Sequence, residues 1–279
     1  PPAETLRVIV PGLYGYRMDS PNGGSYWGRV GEAPGAPEQM RRFSGAGEYA
    51  GVLVVLLALF SLAASFRKGP MFEDRERKMI WFWGVMFLVA MVLSWGRFAP
   101  AFYKLVYSLP YFSSIRNPMK FMHAGHMALM ILCGYGLLGL SRRYLEGATA
   151  TSGGVSARLG LWWAKANSFE KRWTFGMFAA VALSLLVFLI YSSGKSGLIT
   201  HLAGAQLPSS IDPKQVAQFS ISEVGKFFLF FAVSAAALFL IMGGVFARER
   251  SRWAVLLLGL ILTIDLARAN KPWILYWDY

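Results

Sequence analysis

Long apolar runs separated by polar segments dominate the hydrophobic pattern of this chain. Six runs are long enough, or nearly so, to cross the roughly 30 Å hydrocarbon core of a bilayer at about 1.5 Å per helical residue. They cover residues 49–66, 79–95, 121–140, 173–191, 224–247 and 253–267. The pattern predicts an all-α, polytopic helical membrane protein, with about six transmembrane helices plus outer-face interfacial helices and loops.

The polar segments divide the chain into two regions. Residues 1–48 are rich in Gly and Pro and carry several aromatic side chains, which predicts an ordered, irregular outer segment. The alternative is a loop that lies on the lipid headgroups, with its aromatic side chains as interface anchors. Residues 49–279 form the predicted transmembrane helical domain, with outer loops at 96–120 and 194–223.

Shorter segments predict helices that do not span the membrane. Residues 98–109 place apolar side chains on one helical face but are too short to cross a bilayer, so we expect an interfacial helix there. The opening "PPAETLRVIV" favours a short helix with proline in its first turn. One further short helix is expected before Pro208. Residues 144–170, with "EGATATSGGVSARLG", are typical of a flexible linker.

The large positive charge of the chain is explained mainly by membrane topology. The chain is 55% hydrophobic and 15% charged, has a mean hydropathy of +0.42 and carries a net charge of +13. In a soluble protein that charge would favour a nucleic-acid partner, but here 14 of the 28 Lys and Arg residues crowd about 48 residues of three alternate loops. The positive-inside rule therefore places those loops in the cytoplasm and both termini outside it, and no nucleic-acid partner is expected.

Two further observations concern the chain as a whole. A chain that begins at Pro1, with an outer N-terminus and no signal peptide, is expected to be part of a longer protein. Cys133 is the only cysteine and lies in the third predicted span. Neither a disulfide framework nor a thiolate zinc site is therefore possible within this chain.

The stretch "LPYFSSIRNPMKFMHAGHM" concentrates candidate chemistry at the outer end of the third span. Arg116 and Lys120 lie at the depth of a lipid headgroup, where a planar guanidinium and a mobile ammonium could together bind a phosphate or pyrophosphate. The alternative is that both cations anchor a helix end at the interface.

The same stretch also allows a metal interpretation. Met119, Met122, His123 and His126 share a helical face at spacings of three and four residues, and thioether with imidazole is a ligand set that Cu(I) selects. The alternative is ordinary packing, because Met is common in apolar helices.

Asp265, near the outer end of the sixth span, is the residue with the most costly predicted location. Burial of an unpaired carboxylate in a membrane costs several kcal/mol, so Asp265 requires a partner. Arg268 is the local candidate, and Arg97 and Arg116 are the distant ones. Asp265 and Arg268 are expected to form a structural ion pair or to help position a lipid phosphate.

Two other acids lie at the outer ends of spans. Glu48 precedes the first span and could act as a general base or pair with Arg41 or Arg42. Glu223 and Lys226 stand at a favourable i, i+3 spacing at the start of the fifth span. Pairing or anchoring is the plainer interpretation of each.

Several short motifs occur in a recognisable order. They are "VPGLYGY", "SYWG", "FSGAGEYAG", "WGRFAPAFYKLVYSLPYFSSIRNPMKF" and "IDLARANKP". In this order the chain resembles the C-terminal half of the bacterial YfhO-like membrane proteins, which are similar to GT-C glycosyltransferases. The resemblance covers nearly the whole chain, and the Leu-Pro, aromatic, Ile-Arg-x-Pro-x-Lys-Phe element is its most specific part.

The resemblance implies a multi-pass protein of the bacterial inner (cytoplasmic) membrane that transfers a sugar from a polyprenyl-phosphate donor on the outer face. Its expected partners are membrane lipids and the polyprenyl-phosphate-linked sugar. Arg116 and Lys120, with Arg97 behind them, are the expected lipid-phosphate ligands, with Asp265, Arg268 and Glu48 in support. A lateral groove would hold the prenyl chain.

The catalytic part of such an enzyme is not expected in this chain. The family's signature acids resemble a pair in the first outer loop of the complete protein, and nothing here matches that loop; any divalent metal would be bound there. Asp19, Glu32 and Glu48 match no such motif. Two other classes stay open: a non-catalytic scaffold or subunit of a larger membrane complex, and a lipid or metal transporter.

Overall fold

The computed structural model describes residues 1–16, 22–29, 48–67, 69, 71–112, 115, 117–147, 153–204, 207 and 211–274. Over these residues the chain is all-α and has no β-strand, only isolated bridge residues such as the pair Gly69 and Phe72. Five helical segments are long and apolar enough to cross a membrane, and a sixth apolar helix is shorter. The predicted class, a polytopic helical membrane protein, is confirmed.

The described residues form nine α-helices, and six of them correspond to the six predicted spans. The spans are α1, α2, α4, α6, α8 and α9. The bounds are α1 (Val52–Ser65), α2 (Asp74–Ser94), α3 (Pro100–Tyr107), α4 (Phe121–Leu140), α5 (Val155–Lys165), α6 (Ser168–Ser193), α7 (Lys195–Gly204), α8 (Pro213–Met242) and α9 (Ser251–Asn270).

Helix α1 is the centre of the bundle although it is the shortest of the six. Its 14 residues are about 21 Å long, less than the hydrocarbon thickness. Leu57 and Phe60 are fully buried, and α2, α4, α8 and α9 all contact the helix. The backbone of α4 approaches closely at Gly136, where a Cβ atom would overlap the carbonyl oxygen of Leu57. The predicted span 49–66 was longer because its first residues are apolar but not helical.

Two other helices begin earlier than their apolar runs. Helix α2 starts at Asp74, where Glu73 and Glu76 form a capping box. Arg75, Arg77 and Lys78, which the sequence pattern assigned to a loop, therefore belong to the first turns of α2. Helix α8 starts at Pro213 with Asp212 as its N-cap and ends at Met242, before two glycines. Capping residues, not hydrophobicity, determine these ends.

The short helices predicted outside the spans are present. They are the 3-10 helix Pro2–Val8 in the N-terminal segment, α3 after the second span and α7 before Leu207. The flexible linker predicted over 144–170 is wrong for most of its length. A π-helical turn, Ser141–Glu146, continues α4, and α5 occupies Val155–Lys165. Helix α5 packs so closely on α8 that a Cβ atom on Gly243 would overlap Leu159.

The six long helices alternate in direction and give the bundle two distinct ends. At one end the start of α1 meets the end of α9, where Val52 lies beside Asp265. At the other, the end of α4 meets the start of α2 through an Arg142–Glu76 ion pair. We call the first the buried-acid end, because it holds Glu4, Glu48, Glu223 and Asp265. We call the second the basic-loop end, because it holds the described residues of the connections 66–73, 141–167 and 243–250.

Candidate functional site

Four carboxylates are buried at the buried-acid end. The exposed fractions of Glu4, Glu48, Glu223 and Asp265 are 7%, 8%, 2% and 1%. An unpaired carboxylate in such surroundings would cost several kcal/mol. Each of the four accepts hydrogen bonds from cations, phenols or backbone amides, which compensates for its lost hydration.

Asp265 binds three donors. Its Oδ1 accepts a bond from Arg268 at 3.1 Å, and its Oδ2 accepts bonds from the Tyr49 hydroxyl at 2.5 Å and the Val52 backbone N–H at 3.2 Å. The predicted local partner Arg268 is confirmed. Arg97 is not a partner of Asp265, since its guanidinium lies over the ring of the adjacent Phe98.

Arg268 joins two of the acids. One terminal nitrogen binds Asp265, and the other lies 2.8 Å from Oε2 of Glu223. The predicted Glu223–Lys226 pair is confirmed at 2.6 Å. The Tyr16 hydroxyl also donates to Glu223, at 3.3 Å. The result is a network that links α8, α9 and the N-terminal segment.

The two tyrosines of this network act as hydrogen-bond donors. Burial, followed by the nearby Asp265 carboxylate, raises the pKa of Tyr49. Burial and the Glu223 carboxylate raise the pKa of Tyr16 in the same way. Both phenols therefore stay protonated well above neutral pH and donate hydrogen bonds to the carboxylates.

Glu48 has a partner that sequence reasoning missed. Its Oε2 lies 3.0 Å from Arg7 of the N-terminal 3-10 helix, and both side chains are buried. The predicted partners Arg41 and Arg42 lie outside the described residues, as do Asp19 and Glu32. No local signal pointed to Arg7, because the pair joins segments that are far apart in sequence.

The predicted phosphate ligands lie at the same end but on the surface. Arg97 and Lys120 are exposed, and neither forms an ion pair with a carboxylate of the described residues. The turn that carries Arg97 packs against the turn before Lys120, since a Cβ atom on Gly96 would lie 2.6 Å from Pro118. Arg116 lies outside the described residues. The structure thus places two of the three predicted cations on adjacent turns.

The predicted metal ligands have separate environments. His123 is exposed, whereas Nε2 of His126 lies 2.8 Å from the carbonyl oxygen of Glu48. Met119 and Met122 line a cavity of about 30 Å³ beside Arg7 and Glu48, about the volume that one water occupies in the liquid. Within the described residues, no group of three or more His, Cys, Asp or Glu side chains could hold a metal ion.

A larger apolar groove opens on the side of the bundle. It has a volume of about 510 Å³ and is lined by side chains of α1, α4, α8 and α9, among them Leu53, Cys133, Leu137 and Leu258. Its length runs from the basic-loop end, at Leu145, toward the start of α1. Such a groove has the shape and polarity to accept a hydrocarbon chain.

Comparison with known proteins identified no relative of this chain. No model of a protein family, no curated protein and no solved structure matches the chain.

Proposed function

We propose that this protein binds a polyprenyl-phosphate-linked sugar as part of a glycosyltransferase-like membrane protein of the bacterial inner membrane. Arg97 and Lys120, with Arg116 beside them in sequence, hold the phosphate. One observation carries the proposal: the two described cations are exposed on adjacent turns and unpaired with any described carboxylate, at an end where the buried acids already have partners. A phosphate would supply the negative charge that the described residues do not.

The proposed orientation places the buried-acid end outside the cytoplasm. The connections at the opposite end, together with the first turns of α2, α6 and α9 that adjoin them, carry 14 of the 28 Lys and Arg residues in a small part of the chain. Retention of positive loops in the cytoplasm supports this direction. The lipid phosphate would then be bound at the outer leaflet, and the transfer would take place on that face.

The apolar groove favours a donor lipid that has a long hydrocarbon tail. Cys133, which lines the groove, lies about 20 Å along α4 from Lys120 at about 1.5 Å per residue. A lipid anchored at Lys120 would therefore reach the groove only with a chain that extends deep into the membrane, as a polyprenyl chain does.

The chemistry of transfer would need a carboxylate from elsewhere. Glu48, Glu223 and Asp265 are bound to arginines, so none is available as a general base or metal ligand without loss of its ion pair. We propose that the acidic loop, with any divalent metal, lies outside the described residues or on a partner subunit. The same observation favours a second candidate, a non-catalytic scaffold that retains lipid binding.

Binding is tested with the protein in phosphatidylcholine nanodiscs and a polyprenyl phosphate as the probe. Arg97→Gln with Lys120→Gln should weaken binding by at least tenfold, because each charged hydrogen bond contributes about 1.5–3 kcal/mol. The matched control is Arg75→Gln with Lys78→Gln, two exposed residues at the basic-loop end without described ion pairs. Equal binding by the two double variants would contradict the phosphate assignment.

Turnover separates the two candidates. Protein purified from its native membrane would be given a labelled polyprenyl-phosphate sugar together with membrane acceptors. Release of the polyprenyl phosphate by wild type, and its loss in the Arg97/Lys120 double variant, would support the transferase. Lipid binding without turnover, accompanied by a stably associated membrane protein, would support the scaffold.

A further inference from the structure

A polar cavity of about 250 Å³ lies at the basic-loop end, far from the proposed phosphate site. It is open on one side and is lined by the π-helical turn, α5, the start of α6 and the end of α8. Its lining includes Arg143, Arg158, Trp162, Lys165, Glu170 and Gly244. The cavity is several times the roughly 30 Å³ that a water molecule occupies in the liquid.

The acid in this cavity is already neutralised. Oε1 of Glu170 accepts two bonds from Arg143, both at 3.2 Å, and a third from the Tyr144 hydroxyl at 3.0 Å. Oε2 accepts the backbone N–H of Asn167 at 2.8 Å. Arg143 and Glu170 therefore cancel, and the charges of Arg158 and Lys165 are left over.

Arg158 is the unusual member of the group. The residue is only 8% exposed, yet its one described hydrogen bond is to the carbonyl oxygen of Val245 at 3.4 Å, beyond the normal range for a good bond. Its Nε is buried and has no acceptor among the described residues. The indole N–H of Trp162, whose side chain also lines the cavity, is likewise buried and has no acceptor among the described residues. Buried donors without acceptors are costly, and a buried arginine without an anion is more so.

The described residues supply no anion for these donors. No described carboxylate lies within ion-pair distance of Arg158 or Lys165, and Glu146 accepts a bond from Ser141 instead. Residues 148–152, outside the described part of the chain, read Ala-Thr-Ala-Thr-Ser and contain no acid. A bound anion would supply the charge that the described residues lack here.

We infer that this cavity binds a phosphate group, held by the buried guanidinium of Arg158 and the exposed ammonium of Lys165. Arginine and lysine together fit the charge and geometry of a phosphate. The volume is below the range of drug-sized pockets, about 300–1,000 Å³, so it suits a single phosphorylated headgroup or a small phosphate ester. The source is either an anionic lipid of the adjacent leaflet or a free phosphate ester.

The test uses the whole protein in nanodiscs and two probes. In phosphatidylcholine nanodiscs, inorganic phosphate is titrated by calorimetry. In nanodiscs that mix phosphatidylcholine with phosphatidylglycerol, native mass spectrometry measures which lipid stays bound. The variants are Arg158→Gln and Lys165→Gln, and Arg172→Gln is the matched control because it is exposed at the same end without a described partner. Lys165→Gln, on an exposed residue, keeps the test valid if the buried Arg158 variant fails to fold.

Lys165→Gln should weaken phosphate binding, or lower the retention of phosphatidylglycerol, by about tenfold, while Arg172→Gln leaves both unchanged. Calorimetric binding of inorganic phosphate would identify a free phosphate ester as the ligand. Selective retention of phosphatidylglycerol without phosphate binding would identify a lipid headgroup. The inference is overturned if neither probe binds, or if Arg172→Gln has the same effect as Lys165→Gln.

Discussion

The carboxylate of Asp265, near the end of α9, accepts the backbone N–H of Val52, the first residue of α1, at 3.2 Å. The first amides of a helix have no partners within the helix, and inside a membrane water does not replace them. A negative charge at that position also interacts favourably with the helix dipole. The start of the short central helix therefore depends on a side chain 213 positions later in the sequence.

Asp265→Asn should lower stability by about 2–3 kcal/mol. The amide keeps the shape of the carboxylate but removes its charge, which weakens the bonds from Arg268, Tyr49 and Val52. The loss is limited because Glu223 still pairs with Arg268. The free energy of unfolding would be measured in mixed detergent micelles. Asp212→Asn, an exposed N-cap that Asn replaces well, is the control, and an equal effect of both variants would contradict the assignment.

Tyr49→Phe should cost about 1.5–3 kcal/mol, because it removes the hydroxyl that donates to Asp265 at 2.5 Å. Tyr135→Phe is a suitable control, since the Tyr135 ring contacts Phe72 but its hydroxyl forms no hydrogen bond with the described residues. The same unfolding measurement applies. A cost no larger than that of Tyr135→Phe would show that the Tyr49 bond contributes nothing.

The raised pKa of Tyr49 predicts a loss of stability in alkali. Burial and the Asp265 carboxylate make the folded state hold the phenol proton more tightly than the unfolded chain, whose tyrosines titrate near pH 10. The contribution is thus fully present below about pH 10 and declines as the pH rises above it. Tyr49→Phe should make that decline shallower, whereas an unchanged slope of unfolding free energy against pH would refute the linkage.

Gly136→Ala should destabilise the bundle by about 1–3 kcal/mol. The added methyl group would overlap the carbonyl oxygen of Leu57, so α1 and α4 would have to separate. Gly134→Ala is a matched control two residues away, because a Cβ atom there meets no heavy atom within 4 Å. That variant should keep or raise the thermal midpoint through the higher helix propensity of alanine. Similar thermal midpoints for the two variants would mean that the close approach of Gly136 to Leu57 does not contribute to stability.

Glu48→Gln should loosen the N-terminal 3-10 helix. The substitution removes the charge that pairs with the buried Arg7 at 3.0 Å. Trypsin cleaves after arginine only when the chain opens locally, so cleavage after Arg7 should become at least about tenfold faster. Mass spectrometry of the products gives the rate. Glu249→Gln, at an exposed acid, should leave it unchanged.

The sequence by itself determined the parts of this protein that depend on local patterns. The apolar runs located all six long helices, since a chain in lipid must satisfy its backbone within each segment. The requirement of Asp265 for a partner, with Arg268 one turn later as the local candidate, also followed from the sequence, as did the Glu223–Lys226 pair. In each case the interacting groups are within one helical turn.

Only the tertiary structure decided which distant groups meet. Tyr49 and Asp265 are 216 positions apart, and Arg7 and Glu48 are likewise far apart in sequence. A helix that is apolar on every face does not reveal which face will meet a neighbour, so the central position of α1 could not be read from its residues. The cavity around Arg158 could not be predicted for the same reason, because its lining comes from separate helices. Only the packed structure shows that no carboxylate of the described residues binds its buried donors.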